Sequence, residues 1–122
     1  MRFVGIGFRG AADLSSLQDA LQKALVEAGG GGVDALVTEA AKAREKVFRE
    51  LAQVMGVPGL GVTQTDMGQM ITPTQSARIQ DKFGTGSLAE AAALVAAGPG
   101  ARLLAARVIS SDGMATAAIA EN

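Results

Sequence analysis

The chain has no cysteine, no histidine, no tryptophan and no tyrosine. Without cysteine there is no disulfide, no thiol nucleophile and no thiolate metal site. Without histidine there is no imidazole to move protons or ligate a metal. The aromatic share is 3 %, all of it phenylalanine, so no base-stacking platform exists and the core must be built from Ala, Leu, Val and Gly. Eleven Lys and Arg face 12 Asp and Glu, mixed along the chain, for a net charge of −1. That balance shows neither a nucleic-acid footprint nor a polybasic membrane patch. The apolar run Leu88–Ala97 is too short to cross a bilayer, which takes about 20 residues. The glycine-containing start, Phe3 to Phe8, does not resemble a signal peptide. The expectation is a cytoplasmic protein with no metal or cofactor, no nucleic-acid partner and no membrane contact.

What remains is a small α/β pattern. A chain of 122 residues reads as one domain, 1–122, able to bury roughly two thirds of its unfolded surface. Arg2 to Gly7 reads as a buried strand. A helix follows from a cap at Asp13 or Ser15, with Leu14, Leu17, Leu21, Ala24 and Leu25 on one face, and ends at Gly29–Gly32. Asp34 to Thr38 reads as a second strand. The next helix runs to about Met55 with Val47, Leu51 and Val54 on one face, and Gly56 and Pro58 stop it. Leu60 to Thr63 is a third strand, residues 65–76 are irregular, and Ala77 to Lys82 is a helical turn. After the helix Leu88–Ala97, two strands, Arg102 to Ile109 and Met114 to Ala120, flank the hairpin signal Asp112-Gly113. The order predicts a single-domain α/β fold: a mixed, mostly parallel sheet flanked by helices, with a C-terminal antiparallel hairpin.

Several motifs carry chemistry. Gly84-Thr85-Gly86-Ser87 leads into the last helix, and Ser87 with Glu90 has the spacing of a capping box. A glycine turn before a buried, small-residue helix predicts an anion site at the helix start. The lysine of a phosphate-binding P-loop is absent. Gly5-Ile6-Gly7-Phe8-Arg9-Gly10 fits the dinucleotide fingerprint, with Glu39 as the ribose-binding acid, and supports a small nucleotide-binding domain as a secondary reading. Against it, the helix starts too late, Glu39 lies too far along, and the chain is too short for two mononucleotide halves. Lys42 and Arg107 are candidate anion partners. Arg107 interrupts an apolar strand, where an edge charge could equally face water to discourage aggregation. Arg9, Arg78 and Lys82 flank glycine turns and, taken singly, read as solvated charges.

In register, these pieces resemble the family of CobE and the C-terminal domain of CbiG, proteins of cobalamin biosynthesis. The likeness covers nearly the whole chain. The family's Gly-Ile-Gly-Cys-Arg is matched by Gly5-Ile6-Gly7-Phe8-Arg9, and its Thr-x-x-x-Lys-x-x-Glu by Thr38, Lys42 and Glu45. Its proline loop and serine are matched by Pro73 and Ser76. Its Gly-x-x-Ser-Val-x-Glu-Ala-Ala-Ala-Leu is matched by Gly84, Ser87, Leu88, Glu90 to Leu94. Arg107 stands where the family more often has lysine, which keeps the charge and favours bidentate contact. Thr116 to Ala120 match the ending Thr-x-Ala-x-Ala. Phe8 replaces a frequent cysteine, so no thiol role applies there. The region upstream of this domain in CbiG has no counterpart here, which resembles the free-standing CobE form.

The resemblance implies a place in corrin-ring synthesis, with a corrinoid or precorrin intermediate as ligand and other enzymes of that pathway as further partners. It implies a ligand-binding set of Gly7, Phe8, Arg9, Thr38, Lys42, Ser76, Gly84, Thr85, Gly86, Ser87, Glu90 and Arg107. Propionate and acetate arms suit a helix N-terminus with Arg and Lys. The apolar ring suits a cleft lined by glycine and by methionines such as Met67 and Met70. CbiG-type proteins open a lactone on a cobalt-precorrin and release a two-carbon fragment. The alternative to a binding or carrier role is therefore a lactone hydrolase, with Lys42 or Glu90 assisting a water. The lack of His, Cys and a carboxylate pair favours binding without catalysis.

Overall fold

A computed structural model describes residues 1–122. Its five strands are β1 (Arg2–Phe8), β2 (Ala35–Glu39), β3 (Gly59–Val62), β4 (Arg102–Ile109) and β5 (Ala115–Glu121), ordered β3-β2-β1-β5-β4 in one sheet. β1, β2 and β3 pair in parallel, whereas β5 is antiparallel to both β1 and β4. Four strands therefore run one way, and β5 alone reverses. Helices α1 (Leu14–Glu27) and α2 (Lys46–Met55) cover one face; α3 (Gln64–Gly68), α4 (Ala77–Phe83) and α5 (Leu88–Ala97) cover the other. A 3-10 turn, Lys42–Arg44, precedes α2.

The two faces are packed by different means. On the first, Val4, Ile6, Leu36 and Ile119 meet Leu17, Leu21, Phe48 and Leu51, all buried. Each large side chain there contributes about 1.5–3 kcal/mol through removal from water. On the second face β1 presents glycine. A Cβ at Gly5 would overlap the Ala89 carbonyl, and one at Gly7 would press on the Thr116 hydroxyl. Helix α5 therefore lies almost backbone-on-backbone against the sheet, which is why Ala89, Ala91, Ala92 and Ala93 are fully buried.

This packing corrects the nucleotide reading. Gly5 and Gly7 lie inside a strand under α5, and Gly10 stands outside α1, whose cap is Asp13. Glu39 is buried and its carboxylate accepts the Ala41 amide at 2.7 Å. No phosphate-cradling turn is formed.

Local signals behave as expected at most ends. Asp13 accepts the Ser16 amide at 3.0 Å, and Ser16 Oγ accepts the Asp13 amide in return. Gly56 closes α2 at φ +68, and Gly113 turns the hairpin at φ +72. The buried face of α2 differs from expectation: Val54 is 61 % exposed, while Phe48 is fully buried. The helix starts only at Lys46, after the 3-10 turn, and this phase turns Phe48 inward to stack on Phe8 with centroids 6.4 Å apart. Strand β4 carries two register shifts against β5, one between Leu103 and Ala105 and one between Ala105 and Val108. Bulges of this kind bend a strand and re-aim its side chains.

Candidate functional site

A cleft of about 230 Å3 opens where β1 and β4 end and β5 begins. Carboxyl ends of strands, at the point where chain connections change direction, are the usual ligand site of open α/β sheets. Gly7, Phe8 and Arg9 reach it from the end of β1, Lys42 from the 3-10 turn and Arg107 from the bulged end of β4. Helix α4 forms the facing wall with Ser76 at its cap and Arg78, Ile79, Lys82 and Phe83 along it. Leu88, Ile109, Met114 and Ala115 complete an apolar lining.

Charge is the distinguishing property. Arg9, Lys42, Arg78, Lys82 and Arg107 line the cleft, and no lining residue is acidic. The ion pairs of the fold, Arg2–Glu121, Arg102–Glu121 and Lys23–Asp19, all lie elsewhere. Five cations are thus gathered without a carboxylate partner in a chain whose net charge is −1.

Lys42 is the most enclosed of the lysines here. Its ammonium donates to the Phe8 carbonyl at 2.6 Å and stands 4.4 Å from the Phe8 ring centroid and 5.7 Å from that of Phe83. Lys82 Nζ stands 5.4 Å from the Phe83 ring centroid. Such contacts hold an ammonium by the ring quadrupole. Loss of water around Lys42 lowers its pKa below the usual lysine value, and the nearby Lys82 charge adds to this. Glu45 and Glu39 oppose the shift, and Arg78 reinforces it. An anion entering the cleft would relieve this crowding of like charge.

Gly7, Phe8, Arg9, Lys42, Ser76 and Arg107 are brought together here. The other expected residues are not. Phe83 and Leu88 line the cleft, but the segment between them turns behind its wall. Thr85, Gly86 and Ser87 are buried there, while Gly84 is exposed away from the cleft. Gly86 packs on the Gln75 amide, and its carbonyl accepts the Ser76 amide at 2.8 Å. Thr38 is fully buried in β2; its hydroxyl and that of Thr85 find no partner in the fold. Met67 sits in the core beneath α5, and Met70 packs beside it; the methionine of the cleft is Met114.

The expected capping box is half formed. Ser87 Oγ accepts the Glu90 amide at 3.3 Å, but the Glu90 carboxylate does not return to Ser87. It accepts instead from Thr74 N at 2.9 Å, Thr74 Oγ at 2.9 Å and Arg107 N at 2.8 Å. Glu90 is fully buried and does not line the cleft.

Arg78 and Lys82, which taken singly read as solvated charges, are neighbours on one wall of the cleft. The signal was present: after a Ser76 cap, residues four apart share a helical face. What no spacing contained was that this face would turn toward Arg9, Lys42 and Arg107.

Residues 2–120 match the family model described as cobalamin synthesis G C-terminus. The fold is similar to the crystal structure of CobE, a protein from the cobalamin (vitamin B12) biosynthetic pathway. That similarity has a TM-score of 0.85 at 31 % identity and covers 100 % of this chain and 90 % of that one. It is also similar to the cobalamin biosynthesis protein ChiG from Agrobacterium tumefaciens, with a TM-score of 0.76, 32 % identity, and coverage of 100 % and 98 %. A putative cobalamin biosynthesis protein G homolog from Sulfolobus solfataricus shares the fold at 20 % identity and a TM-score of 0.71. There this chain spans 98 % of its own length and 36 % of the other. No curated protein sequence matches the chain significantly. The match over nearly every residue, joined to two full-length similarities above 30 % identity, establishes that the chain belongs to the CobE and CbiG C-terminal family of cobalamin biosynthesis proteins.

Proposed function

We propose that this chain binds a corrin-ring precursor through its free carboxylate arms, as an accessory or carrier protein of cobalamin biosynthesis. One observation carries the reading: five cations converge on a cleft that holds no acid, around an apolar lining. A ligand that satisfies both features has several carboxylates attached to an apolar body. At about 230 Å3 the cleft falls below the usual range for an enclosed drug-sized ligand, roughly 300–1,000 Å3. It therefore receives one edge of the macrocycle and its arms, while the rest of the ring lies across the mouth. Guanidinium groups suit this task because they pair with carboxylates in a bidentate manner.

The lactone hydrolase reading has less support. Its carboxylate candidate, Glu90, is fully buried and bonded to Thr74 and Arg107, so it has no path to an attacking water. Lys42 remains, held against Phe8.

Absorbance titrations with cobyrinic acid, whose arms are free carboxylates, and cobinamide, whose arms are amides, test the proposal. Cobyrinic acid should bind at least about a hundredfold more tightly, because each lost charge-assisted contact is worth about 1.5–3 kcal/mol. The difference should shrink as salt rises. Equal affinities would overturn the proposal.

A further inference from the structure

Glu90 is a carboxylate with no exposed surface, no ion pair and no access to the cleft. Yet its carboxylate joins Arg107 on one wall to Thr74, two residues before the Ser76 that starts the other. One wall is the bulged end of β4. There the register shift between Ala105 and Val108 takes the Arg107 amide out of the strand ladder, and Glu90 Oε2 accepts it at 2.8 Å. The other wall begins at Thr74, whose amide and hydroxyl both donate to Glu90, each at 2.9 Å. Two residues on, Ser76 caps α4 and delivers Arg78 and Lys82 to the cleft. Without this carboxylate, the Arg107 and Thr74 amides would be left short of a partner, which the fold resists.

We infer that Glu90 is a positioning residue that sets the distance between Arg107 on one wall and the α4 cations on the other, and thereby selects a ligand with two or more carboxylates on separate arms. Glu90 suits the task for three reasons. It stands in the first turn of α5, where the helix dipole favours a negative charge. Helix α5 is itself seated backbone-on-backbone on β1, so its first turn is a rigid mount. A carboxylate can accept from three donors at once, which a neutral amide side chain cannot do without turning a donor toward a donor. A small anion needs only one wall and is indifferent to the spacing. This inference rests on the polycarboxylate reading above for its ligand, but not for its geometry.

The test compares the wild type with Glu90→Gln and Thr74→Val. It reads amide hydrogen exchange at Arg107 by NMR, thermal melting, and dissociation constants for cobyrinic acid and for sulfate. In Glu90→Gln the Arg107 amide should exchange at least about tenfold faster, and cobyrinic acid should bind about tenfold more weakly. Both follow from replacing a charged acceptor with a neutral amide. The bond that the Arg107 amide keeps falls to roughly half its strength, and a donor is set against the Thr74 amide. Sulfate, held by one wall, should bind within about twofold of wild type. Thr74→Val keeps the Arg107 bond, so Arg107 exchange should stay unchanged while cobyrinic acid affinity falls about threefold. Unchanged Arg107 exchange in Glu90→Gln would overturn the inference. So would equal weakening of sulfate and cobyrinic acid, or faster exchange throughout the chain, either of which would make Glu90 a general structural group. If wild-type protein bound sulfate but not cobyrinic acid, the proposed ligand would fail, and the Arg107 exchange result would still decide the clamp.

Discussion

Two helices on the same face of the sheet begin at a serine cap, and they do opposite things. Ser87 starts α5, is fully buried, and leads a run of alanines pressed onto β1. Ser76 starts α4, is half-buried, and leads a short helix whose charged side lines the cleft. The cap chemistry is the same, a hydroxyl accepting the amide three residues on. The stronger motif, with its glycine turn and its glutamate, became part of the interior. The weaker one carries the cations. A capped helix start is an opportunity for an anion only where the fold leaves it exposed, and α5 is enclosed because Gly5 and Gly7 let it sink into the sheet.

The largest expected effect breaks the α5 side of this comparison. In Gly5→Ala the new methyl would overlap the Ala89 carbonyl. Because backbone cannot step aside as a side chain can, the loss should be about 3 kcal/mol or more, seen as a large drop in the urea midpoint. An alanine accepted there with little loss would mean that α5 is not seated as described.

The α4 side should fail differently. Reversing Arg78 and Lys82 together to glutamate should weaken cobyrinic acid binding roughly tenfold to a hundredfold, while stability moves by no more than about 0.5 kcal/mol because both residues are exposed. Arg107→Glu should have a similar effect on affinity. A double variant that melts much earlier yet binds normally would place α4 with the structural elements.

Removing the caps sharpens the contrast. Ser87→Ala leaves a buried amide without its acceptor and should cost about 1–2 kcal/mol. Ser76→Ala, nearer to water, should cost about 0.5–1 kcal/mol. Equal costs by denaturant titration would erase the distinction in burial between the two starts.

The smallest effect lies at the hairpin that joins β4 to β5. The Asp112 carboxyl is held at about 2 by the hydroxyls of Ser110 and Ser16 and the Met114 amide, and Asp13 and Asp19 are lowered in the same direction. A carboxylate with a depressed folded-state pKa stabilises fully above its unfolded value, near 3.8, and loses that contribution as pH falls toward 2. The wild-type melting temperature should therefore decline from pH 4 to pH 2, and Asp112→Asn should decline less over the same range. Parallel curves would show that these bonds contribute nothing to stability.

The sequence by itself determined the family and every element except the short α3, which lies in a stretch that reads as irregular. Most strand and helix periods, the Asp13 cap, Gly56 and the Asp112-Gly113 turn are local signals that survived folding because neighbours along the chain create them. Packing, by contrast, re-phased the α2 face and half undid the Ser87–Glu90 box. It was also enough to exclude imidazole and thiol chemistry. Only the tertiary structure decided which charges meet. Arg9, Lys42, Arg78, Lys82 and Arg107 come from four separate segments, and their convergence depends on β5 inserting between β1 and β4 and on the bulge that turns Arg107. It also decided that Glu90 faces Thr74 and Arg107 rather than its own cap. A carboxylate takes whichever donors packing leaves unpaired, and those donors are distant in sequence.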